Sequence, residues 1–128
     1  MKRRGATLFE LMVAGTLLAA LAVVCLQMTS AIAAQRRAAD LRQLAIAELS
    51  NAMERFAAKP WAELTVEAAP QLSAQAAKRL LGAELKFEVS DSKSPKPQAR
   101  RIKASLRWQD AAGQFVAPIT LVTWRYAH

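Results

Sequence analysis

One carboxylate, Glu10, stands at the front edge of an apolar run. From Leu11 to Gln35 no residue carries a charge. A lone acid in such a setting could work as a proton donor or acceptor, help hold a metal ion, or pair with a cation. The rest of the chain argues against the first two. The single histidine, His128, is the last residue and reads as an exposed end, so neither a histidine triad nor a multi-histidine metal site can be assembled. The single cysteine, Cys25, allows no intramolecular disulfide and no thiolate cluster. It lies inside the apolar run and reads as a packing residue. Asp91 and Asp110 fall in loop-like segments with too few neighbouring donors to bind a metal. No nucleophile stands in a pattern with a base. The chain therefore reads as a non-enzyme with no cofactor and no metal.

The elements around Glu10 set the terms of a pairing with a cation. A helix from Leu11 to Gln35 would be roughly 37 Å long at about 1.5 Å per residue. Crossing a bilayer takes about 20 mainly apolar residues, and an ordinary signal peptide has an apolar core of only about 7–15. A membrane span follows. A charge costs a few kcal/mol at the centre of a span and less near its end, where Glu10 lies and where the helix dipole favours an anion. Lys2, Arg3 and Arg4 precede the run and favour an inside N-terminus, although Arg36 and Arg37 flank the other end. Two simpler readings of Glu10 stay open on position alone. It could reach the headgroups from an ordinary anchor, or the segment could be a cleaved secretory signal with a site near Ala31–Ala34.

Past Gln35 the helical pattern continues with a different character. Leu41, Leu44, Ala45, Leu49, Ala52, Met53 and Phe56 recur on one stripe, while Arg37, Asp40, Arg42, Gln43, Glu48 and Arg55 fall mostly off it. No proline interrupts the chain before Pro60, which ends the helix. The connection Lys59–Pro70 leads to a short helix expected over Ser73–Leu81, capped by Ser73 and closed at Gly82. Leu85, Phe87 and Val89 then alternate with Glu84, Lys86 and Glu88. Ile102, Ala104, Leu106 and Trp108 alternate with Lys103, Ser105 and Arg107. These are half-buried strands. The stretch Asp91–Arg100 reads as their loop, and a turn ending at Gly113 precedes a last strand over Ile119–Tyr126. The expected fold is α+β: a long N-terminal helix whose first half spans a membrane and whose second half covers a small three-stranded antiparallel sheet.

A second group of residues could bind an anion. Lys93, Lys96, Arg100, Arg101, Lys103 and Arg107 occur with no acid among them, in a chain of net charge +8. Such a run could meet a DNA backbone or an acidic partner. It could equally be a solvated loop and the outward side of a strand. Trp61, Trp108 and Trp124 read as core or membrane-interface residues, with Trp61 filling the junction of helix and sheet.

The N-terminal pattern carries more. Arg4-Gly5-Ala6-Thr7-Leu8-Phe9-Glu10, followed by the uncharged run, resembles the N-terminus of type IV prepilins and type II secretion pseudopilins. The likeness covers residues 3–35. The family pattern is a short basic leader ending in Gly, a first mature residue that is often aromatic or Met, Thr-Leu, and a Glu at the fifth mature position. Ala6 departs from it, since Phe is commonest there. The resemblance implies a leader over residues 1–5, cleaved between Gly5 and Ala6 by a prepilin peptidase that N-methylates Ala6. Thr7 and Leu8 would form part of the recognised motif. The segments would be a membrane helix over 6–35, its amphipathic continuation over 36–58, and a head over 59–128. It implies a single-pass protein of the bacterial inner membrane, with the N-terminus cytoplasmic and the head periplasmic. Its partners would be the peptidase, other pilins or pseudopilins, and an inner-membrane assembly platform. Size and the helix before Pro60-Trp61 resemble a minor pseudopilin of the I type or its V-type pilus counterpart. Alternatives are a DNA-binding minor pilin using residues 93–107, and a secreted soluble protein.

Overall fold

The computed structural model describes residues 4–93 and 97–127, with side chains from Thr7 onward. The element order is α1 (Arg4–Ala57), two short 3-10 turns (Trp61–Glu63 and Val66–Ala68), α2 (Ala74–Arg79), β1 (Glu84–Asp91), β2 (Ala99–Arg107) and β3 (Ile119–Tyr126). The fold is the expected α+β. By packing the chain divides into two units, one up to Ala38 and one from Ala39 onward.

In the first unit α1 stands without tertiary cover. Leu8, Phe9, Leu11, Met12, Leu17, Leu18, Leu21 and Leu26 are all exposed. Its hydroxyls turn back on the helix itself. Thr16 Oγ1 donates to Val13 O at 2.9 Å, Thr29 Oγ1 to Cys25 O at 2.8 Å, and Ser30 Oγ to Gln27 O at 2.8 Å. Each satisfies its donor on a carbonyl of the preceding turn. The helix is apolar and long enough to cross a bilayer.

In the second unit the stripe on α1 is the floor of the core. Ala45, Leu49, Ala52, Met53 and Phe56 are buried, and Leu41 and Leu44 pack at the margin. They share one cluster with Phe87, Ile102, Ala104, Leu106 and Trp108 from the sheet side and with Leu64, Ala76 and Leu80 from the connection. The Phe56 and Phe87 rings lie 5.0 Å apart at 47°. The sheet is an antiparallel meander in the order β1-β2-β3. Its register sets Phe87 against Ala104 and Ala104 against Leu121, which places these three residues on the face toward the core.

The structure departs from sequence expectation at element ends. The loop expected over Asp91–Arg100 is shorter, because β1 runs through Asp91 and β2 begins at Ala99. The ladder persists because Asp91 pairs with Arg100 in register and Ser92 N donates to Ala99 O at 2.7 Å. Helix α2 spans only Ala74–Arg79. Leu80 leaves the helical region at φ −94°, ψ 91° and is fully buried. Ser73 caps it as expected, accepting from Ala76 N at 3.2 Å. Gly82 follows at φ +60°, a conformation that favours glycine.

Candidate functional site

The N-terminal motif lies within α1. Arg4, Gly5 and Ala6 are helical in backbone, and Thr7, Leu8, Phe9 and Glu10 are exposed on the helix surface. Lys2 and Arg3 lie outside the described residues. Among the described residues no hydrogen bond or ion pair reaches the Glu10 carboxylate. The Glu10 carboxylate thus stands on an exposed apolar helix with no cation beside it among the described residues. Ala6 precedes Glu10 by four positions, about one helical turn. Cys25 is exposed on the same helix.

The basic run from Lys93 to Arg107 does not form one patch. Antiparallel pairing brings an acid from β1 to three of its members. Glu84 stands opposite Arg107, Glu88 opposite Lys103, and Asp91 opposite Arg100. Arg107 Nε donates to Glu84 Oε2 at 2.7 Å, Lys103 Nζ lies 3.4 Å from Glu88 Oε2, and Arg100 Nε lies 2.9 Å from Asp91 Oδ1. Strand alternation also separates them: Arg101, Lys103 and Arg107 share the outer face, while Arg100 lies on the core side. Lys93 is exposed in the loop, and Lys96 lies outside the described residues. The acids were invisible in a reading along the chain because they come from another strand.

Arg100 has a different task from the one its charge suggested. Its guanidinium stacks over the Trp61 ring, 4.6 Å from the centroid. Nη1 donates to Trp61 O at 2.7 Å and to Leu64 O at 3.5 Å. The side chain thus ties the start of β2 to the turn that follows α1. Trp61 packs at the core margin as expected, and Trp108 is buried. Trp124 is not a core residue. It lies on the outer face, 51% exposed, because Ile119, Leu121 and Thr123 take the inward positions of β3.

Two further contacts were not foreseen from the sequence. Glu48, just off the α1 stripe, accepts from Ser73 Oγ at 2.8 Å and from Ser73 N at 3.4 Å. Lys59 Nζ donates to Ala68 O at 2.6 Å. The first ties the cap of α2 to α1, and the second braces the connection within itself. The cap at Ser73 was legible, but its partner twenty-five positions away left no local signal.

Comparisons with protein-family models, with curated proteins and with solved structures find no match for this chain.

Proposed function

We propose that the chain is a pilin-like structural subunit of a type II secretion pseudopilus or a type IV pilus, a minor one acting in initiation or at the tip. The observation that carries this reading is the motif Gly5-Ala6-Thr7-Leu8-Phe9-Glu10 at the head of an exposed apolar helix whose far half serves a packed head. In this reading a prepilin peptidase removes the leader after Gly5 and N-methylates Ala6. The subunit waits in the inner membrane with its head in the periplasm and is drawn into a filament by an assembly platform.

Glu10 supplies the assembly contact. Cleavage creates an ammonium on Ala6, and a neighbouring subunit's Glu10 can meet it in a staggered bundle of helices. At about 4 Å and an effective dielectric near 20 such a pair is worth about 4 kcal/mol before desolvation. Removing one side leaves the other buried and uncompensated, at a cost of about 3–5 kcal/mol. The lone acid also fixes how far one helix slides along the next.

The DNA-binding alternative loses support, because three of the six cations it would use face acids across β1 and β2.

The test is mass spectrometry of the mature N-terminus together with capture of partner pilins. The wild type is expected to begin at N-methyl-Ala6, and a bulky residue at Gly5 is expected to retain the leader. Glu10→Ala is expected to be cleaved and inserted at normal levels but to lose its partners. Normal processing of the Gly5 variant removes the family reading. Undiminished capture by Glu10→Ala makes the acid a mere headgroup contact.

A further inference from the structure

We propose that the outer face of the sheet is a docking surface for a short, extended acidic segment of a partner protein. The inference rests on the sheet alone and holds whether or not the chain enters a filament.

The register stacks the outward residues of the three strands into rows. Lys86, Ser105 and Thr120 form one row, Glu88, Lys103 and Val122 the next, and Ser90, Arg101 and Trp124 the one after. Lys103 is paired with Glu88, and in the row beyond Lys86 Arg107 is paired with Glu84. Lys86 and Arg101 have no acidic partner among the described residues. Two unpaired cations therefore sit on one face, separated by an internally neutralised row.

Each unpaired cation has company suited to a carboxylate beside an apolar group. Lys86 shares its row with the Ser105 and Thr120 hydroxyls, two further donors. This row lines a surface pocket of about 230 Å³ walled by Glu84, Arg107 and Pro118. Arg101 stands opposite Trp124, and Val122, Trp124 and Tyr126 run along β3 with 45%, 51% and 50% of their surface exposed. Three large apolar side chains in a line on one strand form a contiguous exposed strip. A carboxylate in the Lys86–Ser105–Thr120 row, a second at Arg101, and aliphatic side chains over Val122 and Trp124 would use all of these groups together.

Charge decides among occupants. A second copy of this chain would bring the same unpaired cations to the contact. A nucleic acid carries a charge at every phosphate and would have to lie over Glu84 and Glu88. A peptide can place its carboxylates at the two unpaired cations and neutral residues elsewhere.

The test uses the full chain in nanodiscs of zwitterionic lipid, with empty discs as the blank. The probe is a short fluorescent peptide of the repeat Glu-Ser-Leu-Ser, in which the side chains on one face of the extended chain alternate between Glu and Leu, beside the same peptide with Gln for Glu. The Glu peptide is expected to bind about tenfold more tightly or better, the equivalent of about 1.4 kcal/mol. The Lys86→Glu/Arg101→Glu variant is expected to abolish that difference, and Trp124→Ala to weaken binding of both peptides. The Lys93→Glu control should bind as the wild type does. If charge reversal disturbs the thermal melt, Lys86→Gln/Arg101→Gln decides instead. Equal binding of the two peptides overturns the proposal, as does binding indifferent to Lys86 and Arg101. Tighter binding of an oligothymidylate would assign the face to nucleic acid. Capture of the face by discs doped with phosphatidylglycerol would assign it to lipid headgroups, and either result overturns the peptide reading.

Discussion

The two parts of helix α1 differ in a way that reverses ordinary expectation. The more apolar part, up to Ala38, is the exposed one: Phe9 retains 71% of its surface and Leu18 69%, whereas Leu49 and Phe56 in the later part retain none. Burial in water-soluble packing follows a stripe, and the later part has one. The earlier part is apolar all round, and a helix of that kind needs cover on every side. Nothing else in the described chain supplies it. The contrast separates residues buried in the core of the later part from residues whose apolar surface has no cover among the described residues.

The largest expected effect sharpens that separation. Phe56→Ala removes a fully buried ring that meets Phe87 and should destabilise the head by about 3–5 kcal/mol. Leu18→Ala, on the exposed part, should leave head stability unchanged. Urea unfolding of the full chain in detergent, followed through tryptophan fluorescence, measures both. Equal losses would mean that the earlier part contributes to the same cooperative unit.

Next in size is Arg100→Ala. It removes the donor to the Trp61 and Leu64 carbonyls, the partner of Asp91 and the stack on Trp61. Leaving part-buried carbonyls without their donor costs about 1–3 kcal/mol. Lysine cannot reproduce a planar fork that stacks and donates together, so Arg100→Lys should recover little. Arg101→Ala, one position on and facing outward, should change stability by no more than about 0.5 kcal/mol. If the two alanine variants melt alike, the division of the basic run between two faces fails.

These pairs show what could be read along the chain and what could not. The stripe ending at Phe56 and the alternation Leu85-Phe87-Val89 and Ile102-Ala104-Leu106 are local periodicities. Each names its own buried face, and hence the fold class. The Ser73 cap and the Gly82 turn were equally local. The charge partners of Arg100, Lys103 and Arg107 were not, because they are fixed by the register of β1 against β2. A run that looked uniformly basic in one dimension therefore has three of its six cations facing acids in three. Of the two places expected for Trp124, core or membrane interface, the core one fails for a related reason. Its type favours burial, but its parity in β3 puts it outside. The motif from Gly5 to Glu10 was legible as a pattern, and in the proposed reading its chemistry depends on a partner from another subunit.

The smallest effect concerns the two acids at the margins of the comparison. Glu48 holds Ser73 through two hydrogen bonds, and Ser73 in turn caps α2. Losing a cap costs about 1 kcal/mol. Ser73→Ala should cost that much because Ala76 N loses its acceptor. Glu48→Ala should cost a similar amount by freeing the capping residue from α1. Since both act through one contact, the double variant should lose less than the sum, with a coupling of about 0.5–1 kcal/mol. Glu10→Ala should have no such effect and no coupling to Ser73, since Glu10 has no partner among the described residues. A thermodynamic cycle on the full chain in detergent reads all of these. Strict additivity at Glu48 and Ser73 would mean the contact holds no energy, and the connection would then rest on its apolar contacts and on Arg100. A loss of head stability in Glu10→Ala would show that the two parts of α1 are not energetically separate, which would undo the contrast between them.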